Sequence, residues 1–192
     1  MDDECAGLLV EELGLCRWLC LYIRLRWLAI SAALFTTLMA RAVLGIGVPM
    51  FPVLGVIAVI ASYNSLFGIW QRRRERRDLE PESAARWCRR FALVQVIADL
   101  IAMTVLLHFV GGVETPFFLF YLLDVGFASI LLSRRDAYKV LALAVGLFVL
   151  LIGTELLGWL PHVHLEGLVP PDLYQEQTYV VAVMVSFVAT LV

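Results

Sequence analysis

The chain has 192 residues, 61% of them hydrophobic, with a mean hydropathy of +0.87, well above the apolar share of a soluble domain, so a water-soluble globule is excluded. The net charge is only −2, and the segregation of the charges is more informative than their sum. Apolar runs long enough to span a bilayer recur along the chain, and they lack the alternation of a barrel strand. The sequence therefore reads as all-α: a polytopic membrane protein built as a six-helix transmembrane bundle.

Residues 1–26 begin acidic (Asp2, Asp3, Glu4, Glu11, Glu12) where a signal peptide would be basic, so none is expected. They turn basic at Arg17, Arg24 and Arg26. The apolar residues between suit either an interfacial helix leading into the first span or a solvated tail with a few membrane-side anchors. The first span is expected at 27–48. A short uncharged link ending at Pro49 leads to the second, at 50–70. A basic connector follows, with Arg72, Arg73, Arg74, Arg76, Arg77, Arg86, Arg89 and Arg90, and then the third span at 91–110.

The apolar sequence next breaks at Gly111-Gly112-Val113-Glu114-Thr115. Paired glycines end a helix, Thr115 suits an N-cap, and Pro116 suits the first helical position. A fourth span at 117–133 therefore returns antiparallel to the third. Arg134, Arg135 and Lys139 make a basic turn before the fifth span at 138–159. A polar loop over 160–177 carries His162, His164, Glu166, Pro170, Pro171, Asp172 and Glu176. The sixth span, 178–192, is still apolar at Val192 and shorter than the about 20 residues a crossing needs. It is expected to continue into a cytoplasmic region.

Basic residues favour the cytoplasmic side. With the N-terminus inside, every lysine and arginine except Arg41 falls on inner segments. Cys5, Cys16, Cys20 and Cys88 are then cytoplasmic and expected to be reduced thiols. His162, His164 and Glu166 alternate in the outer loop; two histidines and an acid are a weak metal signal, and solvated loop residues are expected, with no metal.

Charge within a span costs at least a few kcal/mol. Arg41, Asp99, Asp124 and Glu155 are the expected intramembrane polar network, with Arg41 pairing Asp124 or Glu155. Gln95 and Asp99 share one face of the third span, while Thr104 and His108 lie nearly opposite. No nucleotide loop, zincin motif or nucleophile elbow is present, so no catalytic residue is assigned. The arginine run at 72–77 reads as a topology determinant and anionic-lipid contact rather than a nucleic-acid site.

Several features together resemble the six-helix membrane sensor region of bacterial two-component histidine kinases, in particular the RegB-type (PrrB-type) redox sensors. They are Leu25-Arg26-Trp27-Leu28-Ala29, Pro49 and Pro52, Asn64, Gly111-Gly112-Val113-Glu114-Thr115-Pro116-Phe117, and Ala128-Ser129-Ile130-Leu131-Leu132. In that family the glycine turn is associated with quinone binding and usually carries Asn before Pro-Phe; Thr115 stands there in this chain.

The resemblance implies a non-catalytic sensory input domain whose kinase core lies beyond Val192. Its implied partners are the lipid bilayer, a second copy in a homodimer, and a cytoplasmic response regulator. It places the domain in the bacterial inner membrane. A quinone is the candidate ligand, at His108, Gly111, Gly112, Glu114, Thr115, Pro116, Phe117 and Phe118. The alternative is a small transporter or channel-like bundle with Asp99, Asp124 and Glu155 along a water path.

Overall fold

The computed structural model describes residues 2–75, 81–165 and 173–191, with the side chains of 2–17, 75, 81, 82, 84 and 85 left outside that description. Arg76, Arg77, Glu166, Pro170, Pro171, Asp172 and Val192 therefore lie outside the described residues, as do the side chains of Cys5, Cys16 and Arg17. The described residues form six α-helices and no strand: α1 (Asp2–Ala42), α2 (Met50–Glu75), α3 (Pro81–Phe109), α4 (Phe120–Leu131), α5 (Arg134–Leu156) and α6 (Gln177–Leu191). Short 3-10 turns at Gly112–Glu114, Pro116–Leu119 and Leu173–Gln175 complete the pattern.

Four stretches are long and apolar enough to cross a membrane: Trp18–Ala42, Met50–Arg74, Arg86–Phe109 and Arg134–Leu156. Pro116–Leu131 and Gln177–Leu191 are shorter apolar helical segments. Large apolar side chains such as Leu28, Phe35, Phe51, Leu66, Leu123, Leu150 and Val185 point outward. So much exposed apolar surface is untenable in water and natural against lipid.

α3 is the central helix, packing against α1, α2, α4 and α5. One end of the bundle gathers the α3–α4 turn, the C-terminal turn of α5 and the approach to α6; we call it the elbow end. The opposite end is closed by Leu19, Cys88, Phe91, Ala92 and Leu131, with Trp87 stacked on Phe91 at 4.6 Å.

Several helix limits differ from the expected spans: α2 runs on to Glu75, α3 begins at Pro81, α4 occupies only Phe120–Leu131, and α5 begins at Arg134. The segment before the first expected span is helical and continuous with it, since α1 runs unbroken and is already apolar enough to span from Trp18. Arg26, read as an interfacial charge, lies instead inside the bundle at 6% exposure. α1 stops at Ala42 rather than Val48, since Gly45 takes a left-handed φ of 66°. α5 stops at Leu156 rather than Trp159. Gly158 (φ 69°) closes it as a Schellman motif, with Trp159 N–H donating to Thr154 C=O at 3.0 Å and Gly158 N–H to Glu155 C=O at 3.1 Å. Of the cysteines expected to be reduced, Cys88 is disulfide-bonded instead, and the Cys20 sulfur accepts from Gln71 Nε2 at 2.7 Å.

Candidate functional site

Two buried polar centres lie in the bundle. The first joins α1 to α4 around Asp99. Arg26 donates to Asp99 in a buried ion pair and reaches Asn64 Oδ1 at 3.2 Å, while Asn64 Nδ2 donates to Ile23 C=O at 3.3 Å. Tyr63 donates to Asp99 Oδ1 at 2.6 Å. The Tyr22 hydroxyl lies 2.5 Å from Asp99 Oδ2 and 2.9 Å from Asp124 Oδ1. One hydroxyl proton thus serves two carboxylates, of which, among the described residues, only Asp99 has a guanidinium partner. This centre floors a cavity with apolar walls that include Ala29, Ile57, Met103, Leu106, Phe120 and Phe127.

The second centre sits at the elbow end and begins with glycine. Gly111 (φ 98°) and Gly112 (φ 51°) hold left-handed conformations that side chains disfavour. A Cβ on Gly112 would lie 2.7 Å from Glu155 Oε2, so the missing side chain is what admits that carboxylate. Glu155 is fixed by the Schellman turn of α5. Its Oε1 meets His108 Nδ1 at 2.8 Å, and its Oε2 meets His162 Nδ1 at 2.7 Å.

The opposite nitrogen of His162, Nε2, is 3.3 Å from Glu114 Oε2, and His164 Nδ1 approaches the same oxygen at 3.0 Å. Tyr174 stacks on the His162 ring at 4.0 Å. Burial alone pushes the His162 imidazole toward neutrality. The hydrogen bonds and negative charge of Glu155 and Glu114 outweigh that, and its pKa stands above the ordinary histidine value.

A family model described as a PilS-like transmembrane domain, the 6TM_PilS model, matches residues 15–192. The chain belongs to that family. PilS is a sensor histidine kinase, so membership suggests a membrane sensory domain of such a kinase. No curated protein and no solved structure matches the chain.

Within this PilS-like domain the residues singled out in the sequence separate. His108, Gly111, Gly112, Glu114 and Glu155 come together at the elbow, while Asp99 and Asp124 form the other centre. Thr115 takes the extended N-cap conformation ahead of Pro116, but its side chain makes no capping bond, and among the described residues its buried Oγ1 has no hydrogen-bond partner. Phe118 turns into the core against Phe148 and Phe187, and Phe117 stacks on Phe120.

Arg41 does not pair as expected. It lies exposed in the last turn of α1, and among the described residues it makes no ion pair with Asp124 or Glu155. Arg26 supplies the cation for Asp99 instead, and histidines satisfy Glu155. His162 and His164 were expected to be solvated loop residues; the His162 side chain is only 3% exposed. Sequence reasoning missed Tyr22, Arg26, Tyr63 and Tyr174. For Tyr22 and Arg26 a signal did exist, since their i, i+4 spacing places both on one face of α1.

Proposed function

We propose that this PilS-like domain is the sensory input module of a two-component histidine kinase, lying in the bacterial inner membrane with its N-terminus cytoplasmic. In this reading the elbow faces outward, and α6 carries the signal to a cytoplasmic kinase core that phosphorylates a response regulator; the working unit is a homodimer. The observation that carries it is the family match across residues 15–192. The way α6 is held supports it further. Tyr179 donates to the Val113 carbonyl in the elbow at 3.2 Å, and Phe187, farther along the same helix, packs at 4.2 Å on Phe148. A change at the elbow therefore has a direct mechanical route along α6, by favouring one of two helix arrangements.

A quinone-type signal, and with it a closer kinship to the RegB-type sensors, is the finer part of the proposal. At the elbow, Leu165 and Glu155 cover the glycines, so a quinone there would have to displace the chain's own side chains. The cavity over Tyr22, Arg26, Tyr63 and Asp99 offers what a quinone headgroup uses: hydroxyl and guanidinium donors beneath apolar walls.

The test fuses the chain after Val192 to a histidine-kinase core in membrane vesicles and follows autophosphorylation. Gly112→Leu and Tyr179→Phe should shift the output while membrane insertion is retained, and Tyr63→Phe should blunt any response to added quinone. Autophosphorylation identical in all three variants and the parent would reject the sensory reading. A response to quinone unchanged by Tyr63→Phe would reject the cavity as its site.

A further inference from the structure

We propose that Glu114, His162 and His164 form a binding site for a divalent transition-metal ion of the zinc type. Each residue offers one ligand atom, and the three atoms lie within 4.8 Å of one another. With metal–ligand bonds near 2.0–2.1 Å, ligands around a tetrahedral zinc sit about 3.3 Å apart. Glu114 Oε2 lies 3.3 Å from His162 Nε2 and 3.0 Å from His164 Nδ1, so two of the three separations already match.

The surroundings are those of a built site. Among the described residues buried His162 Nε2 makes no hydrogen bond, only facing Glu114 Oε2 at 3.3 Å, and Glu114 Oε1 is buried with none either. Buried polar atoms without a hydrogen bond are uncommon in a folded protein. A cation at this point would use the first and draw in the second. Glu155 holds the far nitrogen, Nδ1, of His162, which fixes the tautomer that leaves Nε2 free to ligate. That carboxylate–histidine–metal order recurs in metal sites, where the outer carboxylate orients the ring and raises its basicity. His108 in turn secures the other oxygen of Glu155, and the Tyr174 ring covers His162.

The ligand chemistry selects the ion. Two imidazoles and one carboxylate suit zinc, copper or nickel; calcium and magnesium take oxygen ligands. Three protein ligands also leave one coordination position open to water or a small anion. Glu114 belongs to the α3–α4 turn and the histidines to the segment leading out of α5. A bound ion would therefore clamp these two segments together. Binding is independent of whether the domain drives a kinase.

The test uses the full chain, purified in detergent with a tag free of histidine, stripped with chelator and titrated with Zn²⁺ against a chromophoric competitor. Co²⁺ replaces Zn²⁺ in a parallel sample, so that its visible ligand-field bands report geometry. One Zn²⁺ equivalent per chain and tetrahedral Co²⁺ bands are expected. His162→Ala/His164→Ala should abolish both, and Glu155→Gln should weaken affinity about 10–100-fold, as loss of an outer partner does. No zinc equivalent in the parent chain, or an equivalent unchanged by the double substitution, overturns the site. If the double variant loses helicity, the Co²⁺ spectrum of the parent decides: octahedral bands alone overturn it.

Discussion

At Gly112 a hydrogen in lieu of a methyl decides whether a carboxylate fits. Gly112→Ala combines a disfavoured φ of 51° with a Cβ only 2.7 Å from Glu155 Oε2, so both backbone and carboxylate must shift. The expected cost is about 1–3 kcal/mol, seen as a lower thermal midpoint in detergent. Gly55→Ala is the control, since a Cβ there meets nothing within 4 Å and helical alanine is favoured over glycine. Equal midpoints for the two variants would contradict the claim. At Asp99, truncation to alanine strands the Arg26 guanidinium inside the bundle. Losing one partner of a buried pair costs about 3–5 kcal/mol, so Asp99→Ala should unfold well below the parent, and Arg26→Leu/Asp99→Leu should recover much of the loss. No recovery would mean that the pair matters for more than charge balance. The sequence reading found the glycines and the buried acids because residue type alone flags them: a glycine pair breaks an apolar run, and an acid in one is conspicuous. It chose the wrong cation, Arg41 over Arg26. Depth along the chain does not reveal which way a helix is turned, and Arg26 lay close enough to other arginines to be read as part of the interface.

At the level of elements, α6 is coupled to the rest by an aromatic cluster. Phe187 is 2% exposed and contacts Phe118, Tyr121 and Phe148, from the elbow turn, α4 and α5 respectively. Phe187→Ala should cost about 3–5 kcal/mol, as aromatic truncation in a packed core does. In detergent this is read as a lower midpoint, and in the kinase fusion as an output less responsive to changes at the elbow. Preserved stability would show that α6 rides loosely on the bundle. The helices themselves were legible, because apolar runs of spanning length announce them, and so was the elbow, from its glycines and proline. The segment from Pro161 to Leu165 was not. His162-Val163-His164 alternates polar with apolar, but over too few residues to mark a core. The carboxylate that receives His164 lies 50 positions earlier in the chain. Only a fold that returns α6 past the elbow brings the two together, and hydropathy does not encode that return.

For the whole molecule, the direction of signalling depends on which end of the bundle faces the cytoplasm. The elbow-end connections, 43–49, 110–119 and 157–177, contain no lysine or arginine, whereas the α2–α3 connector carries Arg72, Arg73, Arg74, Arg76, Arg77, Arg86, Arg89 and Arg90 and the start of α5 carries Arg134, Arg135 and Lys139. Moving Arg26 from the interface into the bundle removes one charge from the basic end and leaves this contrast intact. Arg41 is the exception, and at the exposed end of α1 it has solvent within reach of its long side chain. Because basic loops resist translocation, alkaline phosphatase fused after Gln175 should be active, while fusions after Arg74 and after Ser133 should be inactive. Replacing Arg72, Arg73 and Arg74 with glutamine should blur the contrast, since in the proposed orientation those charges retain the end of α2 on the cytoplasmic side. The opposite activity pattern would place the elbow in the cytoplasm. Kinase output could then no longer be driven through the far end of α6, and the histidine–glutamate cluster would face a compartment where free zinc is scarce.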